Sequence, residues 1–225
     1  MVCRVRADLK LAKRVLEGEE KATNAIREIF KSVQRDKVPQ SWRKYVVEDM
    51  SMPLWVDDLA HRVEFLGKVV SSGAGKYGRT PMWLGGLSTP EAFVAATRQA
   101  VSQGHDWSLE QLRLEVTVQG DSNAAKPGPD TFTIEGMNLL GACWSQSALA
   151  FSNDESFPMP PMLFTWKLID PKEKDSSAGF ASVPVYLNSN RLQFLFSVRL
   201  KCPTSLPPNV WNQRGTCLIA WHAQV

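Results

Sequence analysis

Hydrophobic periodicity changes once along this 225-residue chain, and no other feature limits its fold as much. Before about residue 105, apolar side chains recur every three or four positions, the spacing of one helix face. After Asp106, Leu112, Leu114, Val116 and Val118 alternate with Arg113, Glu115 and Thr117. That is the period-two pattern of a strand with one buried face. A sequence that changes period once, and does not alternate βαβα, segregates its helices from an antiparallel sheet.

The helical part begins with Val5, Leu9, Ala12, Val15 and Leu16, one stripe over residues 3–17. Gly18 interrupts it, and Glu19-Glu20 suit the start of a second helix, because carboxylates favour the positive end of the helix dipole. Its stripe is Ala22, Ile26, Ile29, Phe30 and Val33, and Pro39 is expected to end it. A third helix is predicted over 53–70, with Leu54, Trp55, Leu59, Val63, Phe65 and Leu66 apolar. Ser88-Thr89-Pro90-Glu91 reads as a capped start for a fourth, running to about Ser102. Further strand-like runs follow at 132–134, 139–144, 162–168, 183–187, 192–200 and 216–221. Turn-rich segments at 120–130, 152–161, 170–179 and 203–209 separate them. The expected class is α+β: helices over 1–105, packed with an antiparallel β-barrel or sandwich of six to eight short strands over 106–225.

Composition excludes several classes. With 44% hydrophobic and 22% charged residues the protein is neither collagen-like, wholly disordered nor a coiled coil. No apolar run reaches the ~18 residues of a membrane span, so no membrane contact is expected. Met1 to Arg6 lack the apolar stretch of a secretory signal, which points to a reducing, intracellular setting. The four cysteines (Cys3, Cys143, Cys202, Cys217) include no Cys-x-x-Cys, so no metal site is expected, and Cys143 and Cys217 read as buried, inert thiols. Residues 1–44 hold 12 basic and 6 acidic side chains, a net +6, leaving −3 for the rest of a protein of net +3. The basic stretch lacks the interleaved aromatics of single-strand binders, and no nucleic-acid partner is expected.

Local motifs do not make a catalyst. Gly73-Ala74-Gly75-Lys76 resembles a phosphate cradle, but Val70 stands where the first glycine belongs and Tyr77 where the Ser or Thr belongs. His61, His105 and His222 have no local nucleophile and orienting group. Asp57 and Asp58 point about 100° apart on a helix and read as surface carboxylates, one four residues before Arg62. The eight tryptophans (42, 55, 83, 107, 144, 166, 211 and 221) are scattered among apolar neighbours and read as core anchors.

The order of several motifs is more specific than any one of them. Val38-Pro39-x-x-Trp42 precedes Trp55-Val56-x-Asp58-Leu59-x-x-Arg62. Then come Trp83-Leu84-Gly85-Gly86-Leu87-x-x-Pro90-Glu91-Ala92-Phe93, Thr97-Arg98-Gln99, and Trp107-Ser108-Leu109-Glu110-Gln111-Leu112. Gly136-x-x-Leu139-x-Gly141-Ala142, Val183-Pro184-Val185-Tyr186-Leu187-Asn188 and Arg214-Gly215 complete the series. In this order, over about residues 5–221, the sequence resembles the carboxyl-terminal region of dynein heavy chains. Val183 in place of the Cys typical of axonemal forms, and no Ser/Thr-rich insert after it, favour the cytoplasmic type. Loops 71–80 and 120–130 and the final five residues carry no motif on which the resemblance rests.

The resemblance implies a non-catalytic structural or regulatory module without cofactor. It would pack on the AAA+ ring of its own heavy chain and reach microtubules and dynein subunits only through that minus-end-directed, ATP-hydrolysing motor, in the cytoplasm on the cytoskeleton. The expected ring-contact or motif residues are Pro39, Trp42, Trp55, Leu59, Arg62, Trp83, Gly85, Gly86, Pro90, Gln99, Gly141, Pro184, Tyr186, Arg214 and Gly215. Helices 3–36 and 53–70, with Trp42 and Trp55, would supply the contact. Two other classes stay open on the residues alone: a freestanding β-barrel module binding a small ligand or carbohydrate, and a hydrolase built on His105, Asp106 or Cys143.

Overall fold

A computed structural model of the protein describes residues 2–45, 50–73, 80–120, 128, 130–169 and 179–221. The phosphate-loop candidate beyond Gly73, most of the 120–130 and 170–179 turns, and His222 lie outside the described residues. Two compact units form, one made by residues up to His61 and the other by Arg62 onward. The boundary falls inside a helix, α3 (Met52–Ser71), so the second unit holds helices as well as strands. The change of periodicity at 105/106 and the division into compact units are thus different features of the molecule.

In the first unit, α1 (Val2–Leu16) and α2 (Asn24–Gln34) join a 3-10 segment, Gln40–Tyr45, and the start of α3. Gly18, at φ +79°, closes α1. α2 starts five residues later than Glu19-Glu20 suggest, because the hydroxyl of Thr23 accepts the N–H of Ile26 at 3.3 Å. One acceptor on an orphan helix N–H outweighs a diffuse charge–dipole attraction. Asp36, at φ +53°, ends α2 well before Pro39, and its carboxylate then accepts the Met52 N–H at 3.0 Å, where α3 begins. Val5, Ala12, Ile26, Ile29, Val38, Trp42 and Trp55 form the core of this unit.

Among the described residues, the second unit is built on ten strands. β1 (Leu112–Val118), β2 (Thr131–Ile134) and β7 (Met162–Leu168) form one antiparallel sheet ordered β1-β7-β2. A five-stranded sheet holds β3 (Asn138–Leu140), β6 (Ser156–Pro158), β8 (Phe180–Tyr186), β9 (Phe194–Lys201) and β10 (Cys217–Ile219), in the order β6-β3-β10-β8-β9. β4 (Cys143–Ser145) and β5 (Ala148–Ala150) make a separate hairpin. Phe164 of the first sheet stacks on Phe132 at 5.3 Å and meets Phe196 of the second edge-on at 6.0 Å, so the core lies between the sheets as in a sandwich. α4 (Pro90–His105) covers this core, with Phe93 edge-on to Phe132 at 5.5 Å and Thr97 Oγ1 accepting from the Trp166 indole at 3.0 Å. A short helix, α5 (Asn209–Gln213), seats Trp211 in the interior.

The α+β class holds, while sheet closure, strand number and pairing, and both ends of α4 differ from the sequence expectation. The described strands form open sheets and not a closed barrel. They number ten and not six to eight, and β8 pairs with β10 in parallel, Leu218 against Val185. Thr89 precedes α4 but its hydroxyl caps no helix N–H, so the start rests on Pro90 in the first turn. The helix runs to His105, where Asp106 turns left-handed at φ +57°.

Candidate functional site

Two constellations use the sequence candidates, one in each unit. In the first unit, Trp42 and Trp55 stack at 5.4 Å, 16° from parallel, and are 1% and 2% exposed. The Trp42 indole donates to Asp8 Oδ2 of α1 at 2.8 Å. These indoles therefore act as the platform under the helices and not as surface contact groups. Pro39 is also buried, and its carbonyl accepts the Trp42 N–H at 2.8 Å.

Above that platform lies an open groove of about 410 Å³. It is lined by the apolar Val2, Val5, Leu9 and Leu59 and by the basic Arg6, Lys10 and Lys13. Leu59 is the one candidate that reaches this groove. α1 is amphipathic, yet Val2, Leu9 and Leu16 stay 38%, 52% and 75% exposed. An apolar line left open this far on a short helix marks a surface suited to a partner.

In the second unit, Trp83 stands with three further sequence candidates, Arg62, Gly85 and Gly86. Arg62 lies over its ring at 5.5 Å, and Phe65 meets it edge-on at 5.9 Å. Its indole N–H donates to the Ala220 carbonyl at 3.1 Å. Gly85 and Gly86 have no room for a larger residue. A Cβ on Gly85 would stand 2.5 Å from the Ala220 oxygen, and one on Gly86 2.5 Å from the Trp83 ring. The Trp-Leu-Gly-Gly run is thus a clasp in which absent side chains let α3, the 83–86 turn and the segment after β10 meet.

The other candidates fall elsewhere. Gly141 (φ +73°) packs against Arg214 and Thr216, and the Arg214 Nε donates to the Gly141 carbonyl at 3.3 Å. Gly215 (φ +69°) lies under the Arg191 guanidinium. Pro184 and Tyr186 are on β8, where the Tyr186 carbonyl accepts the Ala220 N–H at 2.9 Å. Pro90 is buried at the start of α4, and Gln99 is exposed on that helix. The basic lining of the groove was visible only as a charge excess, because sequence spacing alone does not show which side of α1 is covered.

His105 pairs with Asp130 at 2.8 Å and stacks on Trp107 at 4.3 Å, tying the end of α4 to the approach to β2. A small pocket of about 60 Å³ lies beside Thr97, Asp130 and Trp166. Among the described residues no group of three or more His, Cys, Asp or Glu is placed to hold a metal ion, and no helix is long and apolar enough to cross a membrane. Burial pushes the Glu115 carboxyl up, but Lys167 and Arg113 outweigh it and hold the carboxyl below its usual range.

The thiols divide by burial. Cys3 is exposed. Cys143 is half-buried and not fully enclosed as expected, because it lies on the short β4–β5 hairpin. Burial pushes the Cys202 thiol up, and pushes Cys217 up against an opposing Arg191 charge. Each folded-state value lies above the unfolded one. Their contribution to stability is therefore complete below the ordinary thiol pKa of about 8.5 and is lost as pH rises through the raised folded values. Alkylation at about pH 8 should modify Cys3 first and Cys143 slowly, and reach Cys202 and Cys217 only on unfolding. Mass spectrometry reads this directly, and fast native labelling of Cys217 would refute it.

Comparison with known proteins follows the same lines. Residues 1–220 match a family model that describes the C-terminal domain of the dynein heavy chain. The sequence is 34% identical over 226 residues to the cytoplasmic dynein heavy chain of Dictyostelium discoideum, spanning 100% of the present protein and 5% of that one. It is 32% identical over 218 residues to the cytoplasmic dynein heavy chain of Drosophila melanogaster, spanning 94% and 5%. Against human dynein axonemal heavy chain 9 the identity is 27% over 213 residues, spanning 91% and 4%. These 225 residues thus span about a twentieth of the length of the relatives they match.

Proposed function

The protein belongs to the family of dynein heavy-chain carboxyl-terminal domains, and on that premise we propose that it is a non-catalytic structural and regulatory module of a cytoplasmic dynein heavy chain, packing on the AAA+ ring of that same polypeptide. In this reading it holds no nucleotide or cofactor, and ATP hydrolysis and microtubule contact belong to the rest of the motor. The parent works in the cytoplasm on the cytoskeleton. The supporting observation is the apolar line of α1, open beside the groove at Leu59. A surface of this kind on a segment that forms a twentieth of its relatives suits docking to the remainder of the polypeptide better than solitary binding. A module that packs differently on two ring states shifts their balance by its differential contact energy, which is a regulatory role without chemistry.

The test is single-molecule motility and ATPase measurement of the intact motor, with and without this region. Deletion should leave ATP hydrolysis present and change velocity, run length or stall force. Unchanged motility would overturn the assignment.

A further inference from the structure

The α1 groove has a chemical polarity that specifies its occupant more closely than the docking role does, and the inference rests on that role. Val2, Val5, Leu9, Ala12 and Leu16 follow one another at spacings of three, four, three and four. That is the a/d seam of a helix that pairs with other helices. Val5 and Ala12 are buried in the core of the first unit, and Val2, Leu9 and Leu16 are not. One half of the seam is therefore satisfied inside the unit, and the other half lies open along about 20 Å of helix.

Charge completes the pattern. Arg6 and Lys13 occupy the positions flanking Leu9 that carry the pairing charges in such seams, and both line the groove with Lys10. Among the described residues, none that lines the groove is acidic. α1 as a whole has five basic residues and one acid, Asp8, whose Oδ2 already accepts from the Trp42 indole. A second copy of this helix would set Arg and Lys against Arg and Lys, so self-association is disfavoured. An anionic bilayer suits a helix whose cations stand on the face away from its apolar side, whereas here the cations border a groove.

We propose that the groove accepts an acidic amphipathic helix from the part of the heavy chain outside these 225 residues, with its apolar seam on Val2 and Leu9 in the groove and on exposed Leu16 further along α1, and its carboxylates against Arg6, Lys10 and Lys13. The relatives extend about twenty-fold beyond the matched region, which leaves ample polypeptide to supply it. Docking is then sensitive to salt, because exposed ion pairs weaken as the screening length shortens.

The probe is a helical peptide of about 16 residues, roughly the length of the open seam, with Leu at its seam positions and Glu at the flanking ones. It is titrated by fluorescence anisotropy onto the purified 225-residue protein. A second peptide carries Lys in place of Glu. The Glu peptide should bind, and the Lys peptide should bind at least about tenfold more weakly. Raising salt from about 50 to 300 mM should loosen the Glu peptide several-fold. Leu9→Glu, at an exposed position and so compatible with folding, should weaken it by about tenfold or more. The triple variant Arg6→Glu, Lys10→Glu, Lys13→Glu should invert the preference, a reversal that misfolding cannot imitate. Equal binding of the two peptides, indifference to Leu9→Glu, or tighter association with anionic phosphatidylserine vesicles than with the Glu peptide would overturn the inference. The two levels separate in the intact motor. If Leu9→Glu leaves the region docked and motility normal while deleting the region changes motility, this inference fails and the docking role stands. If deletion changes nothing, the docking role fails.

Discussion

Replacing Gly85 with alanine should destabilise the second unit by about 3 kcal/mol or more, at the upper end of overpacking costs. The added Cβ would stand 2.5 Å from the Ala220 carbonyl oxygen, 2.7 Å from the Trp83 indole nitrogen and 2.8 Å from the Trp221 Cβ. One of these neighbours is backbone, and the other two belong to packed indole residues, so none can yield cheaply. The same movement breaks the Trp83 to Ala220 hydrogen bond at 3.1 Å. Gly67→Ala supplies the contrast. Gly67 lies inside α3 with nothing within 4 Å of its missing Cβ, so alanine there should be neutral or stabilise by about 0.5–1 kcal/mol through helix propensity. Urea midpoints of the two variants test the pair. A Gly85→Ala protein within about 1 kcal/mol of the parent would show that the clasp is not rigid.

Trp42→Ala should cost the first unit a similar amount, about 3–5 kcal/mol, the range for removing a large buried aromatic. It takes away the stacking partner of Trp55 and leaves the Asp8 carboxylate without the indole N–H it accepts at 2.8 Å. Trp42→Phe keeps most of the apolar area and loses the hydrogen bond, so its cost should be nearer about 1–3 kcal/mol. Thermal unfolding followed by circular dichroism reads both the stability and the exciton band of the stacked indoles. That band should vanish in both variants, and its survival in Trp42→Ala would assign it to other tryptophans. Because α1 rests on this platform, Trp42→Ala also removes the groove. Leu9→Glu leaves the platform intact and so separates docking from folding.

The period-three-to-four stripes marked α1, α2 and α3, and the alternation at 112–118 marked β1, because each pattern records which side of an element meets the core; α4 was marked by its start, Ser88-Thr89-Pro90-Glu91. Pro90, just inside its helix, showed itself as helix-start chemistry, whereas Gly141 and Gly215 were named only as family motif residues and their positive φ came from the structure. β5 was not legible. Its hairpin turns on Gln146 and Ser147, both at positive φ, where a readable turn would carry Asn or Gly. β6 lay within a segment that reads as turn, and its three residues are too few to show a period. The parallel β8–β10 pairing joins residues more than thirty apart, and no local pattern encodes such a partner.

The candidate site divides in the same way. The sequence alone established the α+β class, the family order of motifs and the basic excess near the amino terminus. It also named Trp83, Gly85 and Gly86 without saying why they belong together. Tertiary structure decided that the two glycines are spaces filled by Trp83, Phe65, Ala220 and Trp221. It decided that Trp42 and Trp55 are core and not contact. It also decided that only half of the α1 seam is covered. Local patterns follow from each residue's own geometry and solvation, whereas burial depends on which distant atoms arrive, and that is fixed only when the whole polypeptide has packed.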